Sequence, residues 1–217
     1  MKIAITGHSS GIGRSVDTIL DLTTDYEIRG YSKSNGWNIA QDDGDTIINE
    51  LIDYDPDVLF NNAYYPKIQN KISETLYTKW SDKDKIIINT GSISGYLAEM
   101  LGDDESDYIN DKKRMSDFCI KSSFNYPWNN RTRIYNISFG FVDTPLVTNT
   151  TKQINKDNMI DTEEAALMLI DLMDDKPYHI IEQVVNCNFT DVNAVSYTHL
   201  RAHETPEHLV CRLLLEK

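Results

Sequence analysis

Long apolar runs are missing from this 217-residue chain. Nothing in it approaches the roughly 18 consecutive apolar residues that a membrane-spanning helix requires, so such a helix is not expected. Cysteine is scarce. Cys119, Cys187 and Cys211 are odd in number, far apart and without a C-x-x-C pair. A disulfide framework or zinc site is therefore not expected, and a reducing cytoplasm is the expected compartment. Basic residues are in deficit, with 21 Lys and Arg against 34 Asp and Glu and a net charge of -13. Binding to duplex nucleic acid draws its affinity from clustered cations that neutralise phosphates, and this balance opposes it. The opening Met1-Lys2-Ile3-Ala4-Ile5 enters a strand-like run directly, without the apolar region and cleavage site of a secretory signal. Repeats, low-complexity tracts and linkers are absent as well.

What is present suits one domain with an ordinary core: 40% hydrophobic residues, 25% charged residues and a mean hydropathy of -0.45. Strand-length apolar runs alternate with helical patterns. Strands are predicted over Lys2–Thr6, Tyr26–Ser32, Asp57–Asn61, Lys85–Thr90, Arg133–Ser138 and His179–Val185. Helices are predicted over Ile12–Leu22, Thr46–Ile52, Glu105 to about Ser122, and Thr162–Met173. The runs Val58-Leu59-Phe60 and Ile86-Ile87-Ile88 lack polar alternation, as strands covered on both faces do. Strand–helix alternation from the first residue predicts an α/β fold: a Rossmann-type, doubly wound parallel sheet in three layers and a single domain.

The end of the chain reads differently. Residues 195–217 hold His199, His203 and His208, three of the five histidines, and balance Arg201, Arg212 and Lys217 against Glu204, Glu207 and Glu216. His199 and His203 have an i, i+4 spacing, but the run is not H-E-x-x-H, and no metal site is expected. This stretch resembles a translated sequencing-adapter tail. Residues 191–217 are accordingly expected to be non-native or disordered, with the native C-terminus missing.

Between the first strand and the first helix lies Thr6-Gly7-His8-Ser9-Ser10-Gly11-Ile12-Gly13-Arg14. Glycines there permit a left-handed turn and a close backbone approach to a pyrophosphate. The helix that follows turns its free N–H groups and positive dipole end toward the same place. A glycine-rich turn alone is weak evidence; its position between strand and helix strengthens it.

Residues 6–13 match TGxxxGIG in full, and here the sequence resembles the short-chain dehydrogenase/reductase family over residues 1 to about 190. The resemblance implies a dinucleotide lined by Gly7, Ser9, Ser10, Gly11, Ile12 and Gly13. Cofactor choice is read at the end of the second strand, where NAD-dependent members carry a carboxylate and NADP-dependent members a cation. Gly30-Tyr31-Ser32-Lys33-Ser34 has no carboxylate and offers Ser32 and Lys33, with Arg14 nearby in sequence. NADP(H) is thus the preferred cofactor, with NAD(H) possible. Asn38-Ile39 stands where the family has Asp-Val beside the adenine. Asn61-Asn62-Ala63 matches its NNAG motif, with Tyr64 in place of the glycine; Asn62 and Ala63 would pass beside the adenine ribose.

Tyr108-Ile109-Asn110-Asp111-Lys112 is a Y-x-x-x-K pair, which places phenol and ammonium on one helix face. A phenol with a pKa of about 10 is a poor base at neutral pH. A cation nearby favours the phenolate and makes it a usable acid and base. In a chain with 12 tyrosines such a pair arises readily by chance, so its place in the order of motifs matters. Asn89-Thr90-Gly91-Ser92 resembles the family strand whose last serine bonds the substrate carbonyl. Asn136-Ile137-Ser138-Phe139-Gly140-Phe141-Val142-Asp143-Thr144-Pro145 resembles its N-x-[IV]-x-P-G-x-[VI]-x-T-P turn, with Phe139 replacing a proline. There Gly140, Val142 and Thr144 would hold the nicotinamide amide.

Two departures stand out. Ser92 precedes Tyr108 by 16 positions, more than is usual in the family, which implies a small insertion around Gly102-Asp103-Asp104. Only 30 positions separate Asn62 from Ser92, fewer than usual, so one of the two helices between those strands must be trimmed or absent. The family's fourth catalytic residue, an Asn, sits on a helix there. Asn70 is the one candidate stand-in, and it is not expected to serve. The same helix builds half of the family's dimer bundle, which weakens the case for a homo-oligomer formed that way.

The resemblance implies an NADP(H)-dependent oxidoreductase moving a hydride between nicotinamide and a carbonyl or alcohol substrate. Ser92, Tyr108 and Lys112 are its expected catalytic residues, and Tyr108 and Lys112 also meet the cofactor. The alternative is a catalytically weak dinucleotide-binding sensor or regulator on the same fold. A nucleotide-sugar reductase or epimerase of the extended type fits the loop spacing and the length less well.

Overall fold

The computed structural model describes residues 1–96, 107–124, 131–150, 158–174 and 182–186. Six strands form one parallel sheet: β1 (Lys2–Thr6), β2 (Glu27–Tyr31), β3 (Val58–Asn61), β4 (Ile86–Ser92), β5 (Arg133–Phe139) and β6 (Glu182–Val185). The helices are α1 (Gly11–Thr23), α2 (Asp45–Tyr54), α3 (Ile68–Lys79), α4 (Asp107–Phe124), α5 (Pro145–Thr150) and α6 (Thr162–Ile170). The strand order is β2-β1-β3-β4-β5-β6. This is the doubly wound Rossmann-type architecture that the strand–helix alternation predicts. The chain moves outward from β1 to β2 and then returns to pair β3 on the other side of β1. The carboxyl ends of β1 and β3 therefore flank the point where winding reverses, the place where open α/β sheets take their ligands.

Each central strand feeds two cores, because successive side chains point to opposite faces. Ile3, Ile5, Phe60, Ile88 and Ile137 pack on one face with Val16 and Leu20 of α1 and Ala165 and Leu169 of α6. Ala4, Leu59, Ile87 and Ile134 pack on the other with Ile47 and Leu51 of α2, Ile72 and Leu76 of α3 and Met115 of α4. Both faces being covered is why Ile86-Ile87-Ile88 shows no alternation.

Between β3 and β4 the chain forms one helix, α3, in keeping with the shortened spacing there. Its period is obscured in the sequence because Gln69, Asn70 and Ser73 are buried alongside Ile68, Ile72 and Leu76. The predicted Thr162–Met173 helix ends as α-helix at Ile170 and tightens into a 3-10 turn over Asp171–Met173. Residues 105–106, 179–181 and the whole of 191–217, with His199 and His203, lie outside the described residues, as does the insertion around 102–104. Among the described residues no helix is long and apolar enough to cross a membrane.

Candidate active site

The glycine loop is built from contacts that leave no room for side chains. Gly7 has φ +74°, and a Cβ there would lie 3.0 Å from Asn62 Nδ2 and 3.2 Å from Ala63 Cβ. Gly11 has φ +53°, and its Cβ would lie 3.0 Å from Thr144 Cγ2; one on Gly13 would overlap the Gly7 carbonyl. Three segments distant in sequence thus meet at this turn: the loop itself, the start of the β3–α3 connection, and the turn after β5. Helix α1 starts at Gly11 behind an extended Ser10, with no side-chain cap and no acidic residue in its first turn. Its N–H groups and dipole end are left to an anion. Ser9 and Ser10 are exposed. The Ile12 side chain lies in the core, so its backbone is what is left to line a ligand.

On the far side of the crevice Lys33 is exposed just beyond β2, and Ser32 is buried with its hydroxyl 2.7 Å from that of Ser34. Arg14 is exposed on α1. Asn38 is exposed, and its Oδ1 accepts from the Ala40 N–H at 3.2 Å. The side chain of Ile39, like that of Ile12, is packed into the core. The Thr6 hydroxyl accepts from the N–H groups of both Asn62 and Ala63 at 3.0 Å, which locks the β3–α3 connection to β1. After β5, the Gly140 N–H donates to Val185 O at 2.7 Å, and the Thr144 N–H donates to Val142 O at 2.7 Å. Val142 is buried in the core, so it too could meet a ligand only through its backbone.

Ser92 ends β4, and Tyr108 and Lys112 sit one turn apart on α4. Burial raises the Tyr108 phenol above its ordinary value; the Ser92 hydroxyl, which favours the ionised form, works against this and is outweighed. Ser92 Oγ also donates to Ser94 Oγ at 3.1 Å and accepts from the Ser94 N–H at 3.2 Å. Lys112 is 4% exposed. Its Nζ donates to Gln69 Oε1 at 2.8 Å and to Thr90 O at 2.7 Å, and lies 5.5 Å from the Tyr108 ring centre. Burial lowers its pKa from 10.5 to about 7, against a smaller opposing effect of Asp111. The ammonium is thus tied to two carbonyls, and the phenol lies above its ordinary value, not below it as the Y-x-x-x-K pair suggests.

Several contributors escaped the sequence reading. Gln69 is buried on α3, and no motif marks it. Asn70, named in the sequence but not expected to serve, donates to the backbone oxygen of Asp111 at 2.9 Å and so joins α3 to the helix that carries Tyr108 and Lys112. Asn61 Nδ2 donates to Asn89 Oδ1 at 2.8 Å, Ser73 Oγ donates to the same oxygen at 3.0 Å, and Asn89 Nδ2 donates to Tyr135 O at 3.1 Å. This buried amide pair binds β3, β4, β5 and α3 directly beneath the site. The Asn61-Asn62 and Asn89 motifs were the available signal for it. Among the described residues no group of three or more His, Cys, Asp or Glu side chains is placed to hold a metal ion.

Comparison with known proteins gives a likeness in structure only. No protein-family model matches the sequence, and no curated protein is detectably similar to it. The 3-alpha-hydroxysteroid dehydrogenase of a Pseudomonas species, complexed with NADH, superposes with a TM-score of 0.64 at 15% identity, over 86% of this chain and 94% of that one. A short chain dehydrogenase from Burkholderia cenocepacia, in complex with NADP, gives 0.63 at 15% identity, over 84% and 86%. This chain has their Rossmann-type fold. A 4-hydroxyisoleucine dehydrogenase complexed with NADH agrees equally well, with a TM-score of 0.65 at 17% identity over 87% and 98% of the two chains.

Proposed function

We propose that the chain is an NADP(H)-dependent oxidoreductase of the short-chain type, acting on a small carbonyl or alcohol in the cytoplasm. The observation that carries this reading is the bond of Lys112 Nζ to Thr90 O at 2.7 Å, which brings the Tyr108–Lys112 pair to the carboxyl end of β4, where Ser92 stands, in the same sheet as the glycine turn. A cradle whose Gly7, Gly11 and Gly13 a Cβ would fill, beside an uncapped helix start, fits a dinucleotide pyrophosphate. Lys33 and Ser32 would meet a 2′-phosphate, Asn38 the adenine, and Asn62 and Ala63 the adjoining ribose. The backbone of Val142, with Gly140 and Thr144, would hold the nicotinamide amide.

When bound, the dinucleotide supplies the hydride. The rest falls to the protein. Ser92 would hold the substrate oxygen by a hydrogen bond, and Tyr108 would donate its proton to that oxygen in reduction, or accept it in oxidation. Lys112 would grip the nicotinamide ribose and favour the phenolate that proton loss leaves behind. An uncharged Lys112 could still bond a ribose hydroxyl but would not stabilise the phenolate, which ties the proton step to its protonation.

A weak or absent turnover on a dinucleotide-binding sensor is the second reading. It is favoured by the raised pKa of Tyr108 and by the hold of Gln69 and Thr90 on the ammonium. Separate titrations with NADPH and NADH, followed by a carbonyl panel, distinguish the two. The enzyme reading expects tighter binding of NADPH and reduction of some panel member. Tyr108→Phe should then keep NADPH affinity within about twofold while reduction falls at least about 100-fold, the scale of general acid catalysis. An unchanged rate rejects the proton role of Tyr108; binding with no turnover across the panel favours the sensor.

A further inference from the structure

Gln69 holds Lys112 in a geometry that leaves its own amide no freedom to turn over. Its Nε2 donates to Asn61 O at 2.8 Å and to Thr90 O at 3.2 Å. Both acceptors are carbonyls, so a flipped amide would set oxygen against oxygen. The side-chain carbonyl is thereby turned to Lys112 Nζ, 2.8 Å away. Asn61 is held in turn, its Nδ2 donating to Gln69 O at 2.9 Å. The orientation of one amide is thus dictated from the sheet, through β3 and β4, rather than by the helix that carries it.

The surroundings of Lys112 make that carbonyl matter. The bonds that hold Nζ are both to neutral carbonyls. An ammonium has three N–H donors, so one remains for a ligand hydroxyl or the Tyr108 oxygen. The titratable groups that face it are Tyr108 and Asp111 on α4 and Tyr64 from the β3–α3 connection, whose ring centre is 5.4 Å from Nζ. Helix α3 and strand β4 bring it Gln69 and Thr90, neither of them titratable. Nζ thus has a carbonyl dipole, not a bonded carboxylate, to offset its burial.

We propose that Gln69 is a positioning residue for Lys112, its side-chain carbonyl anchoring the ammonium between the Tyr64 and Tyr108 rings and keeping it charged. The proposal rests on the reading of Lys112 as the cation of the proton relay. It differs from a packing role, because Met and Glu fill nearly the space of Gln, so a residue that only excluded water would leave the Lys112 midpoint nearly unmoved by either replacement.

The test follows the Nζ resonance of Lys112 by NMR in the full chain labelled with 15N-lysine, assigned by its loss in Lys112→Met. Gln69→Met keeps the length and removes the acceptor; it should lower the Lys112 titration midpoint by at least about one pH unit, a tenfold loss of proton affinity. Gln69→Glu puts a carboxylate at the same reach and should raise it. A midpoint unmoved in either folded variant overturns the proposal. The unmutated chain supplies a reading that needs no variant: anchored Nζ protons should exchange with water far more slowly than those of surface lysines, and equal exchange also overturns it. NADPH titration and the carbonyl panel run alongside. Failure of the functional reading appears as no binding and no reduction by the unmutated chain while the Lys112 shifts stand. Failure of the proposal appears as unshifted Lys112 with binding and reduction intact.

Discussion

The rings of Tyr64 and Tyr108 meet edge to face, with centroids 4.8 Å apart and planes at 80°. The Tyr64 hydroxyl donates to Asp111 Oδ2 at 3.2 Å, and the same carboxylate oxygen accepts the Lys67 N–H at 2.7 Å. The β3–α3 connection is in this way fastened to α4 at the point where the resembling family carries a glycine. Tyr64 also contributes to the apolar cover that holds Tyr108 protonated. Tyr64→Gly should cost about 1–2.5 kcal/mol, combining the lost ring pair with the freedom of a glycine in a loop. It should also lower the ionisation midpoint of Tyr108. Denaturant unfolding and tyrosinate absorbance, referenced to Tyr108→Phe, measure the two effects; a Tyr108 midpoint that stays put would show that the cover comes from elsewhere.

Gly13→Ala sets two effects in opposition. Alanine in place of glycine within a helix is worth about 1 kcal/mol of stability. At this position its Cβ would overlap the Gly7 carbonyl, which cannot shift without moving the loop, and would lie 2.7 Å from Asn62 Nδ2. Overpacking of this kind costs about 1–3 kcal/mol and here distorts the anion cradle as well. The expected result is a net loss of stability together with at least a tenfold loss of dinucleotide affinity, read by thermal melting and NADPH fluorescence. A more stable variant with full affinity would contradict the cradle.

Asn89→Ala removes the centre of the buried amide pair. Asn61 keeps its bond to Gln69 O, but Ser73 Oγ loses the acceptor it has at 3.0 Å and Tyr135 O a donor at 3.1 Å. Two buried polar groups without these partners, added to the lost bonds, correspond to about 2–4 kcal/mol. That is a large share of a typical domain stability of about 5–15 kcal/mol. Urea unfolding should register it as a lower midpoint at an unchanged slope. A loss below about 1 kcal/mol would mean that the network is not carrying the sheet centre.

Lys112 gives stability a dependence on pH whose sign follows from its lowered pKa. The folded chain releases this proton at about 7, against an ordinary value of 10.5. Between those values the unfolded chain binds one proton more, so this residue makes stability rise as pH increases from about 7 toward 10.5. Below 7 both states are protonated, and the cost of burying the charge is fully present. The stability of the native sequence minus that of Lys112→Met should therefore climb between pH 7 and 9. Taking the difference cancels the contribution of Glu182, whose raised pKa acts from 4.5 upward in the opposite direction. Denaturant unfolding at several pH values measures it, and a flat difference would exclude a folded-state pKa near 7.

Much of the site can be read from local rules. The glycine turn follows from the need for positive φ and close approach between a strand and a helix, both of which operate within eight residues. The pairing of Tyr108 with Lys112 follows from helix periodicity. The order of the segments, from glycine turn through Asn61-Asn62-Ala63, Ser92 and Tyr108 to Thr144, is enough to expect a parallel sheet that gathers them. The side chains of Ile12, Ile39 and Val142 proved harder, because a motif names positions without saying whether backbone or side chain faces the crevice; all three went to the cores.

The sequence by itself determined the alternation of strands and helices, the glycine turn and the spacing of phenol and ammonium, since each depends on periods and conformations local to a few residues. Only the tertiary structure decided that Lys112 bonds Gln69 and Thr90, that Tyr64 lies against Tyr108, and that Asn61 meets Asn89. Those contacts join residues 20 or more positions apart, and strand register and helix placement select among many polar groups that are equivalent in one dimension. Burial, which sets the proton affinities of Tyr108 and Lys112, is a property of that packing and has no local signature.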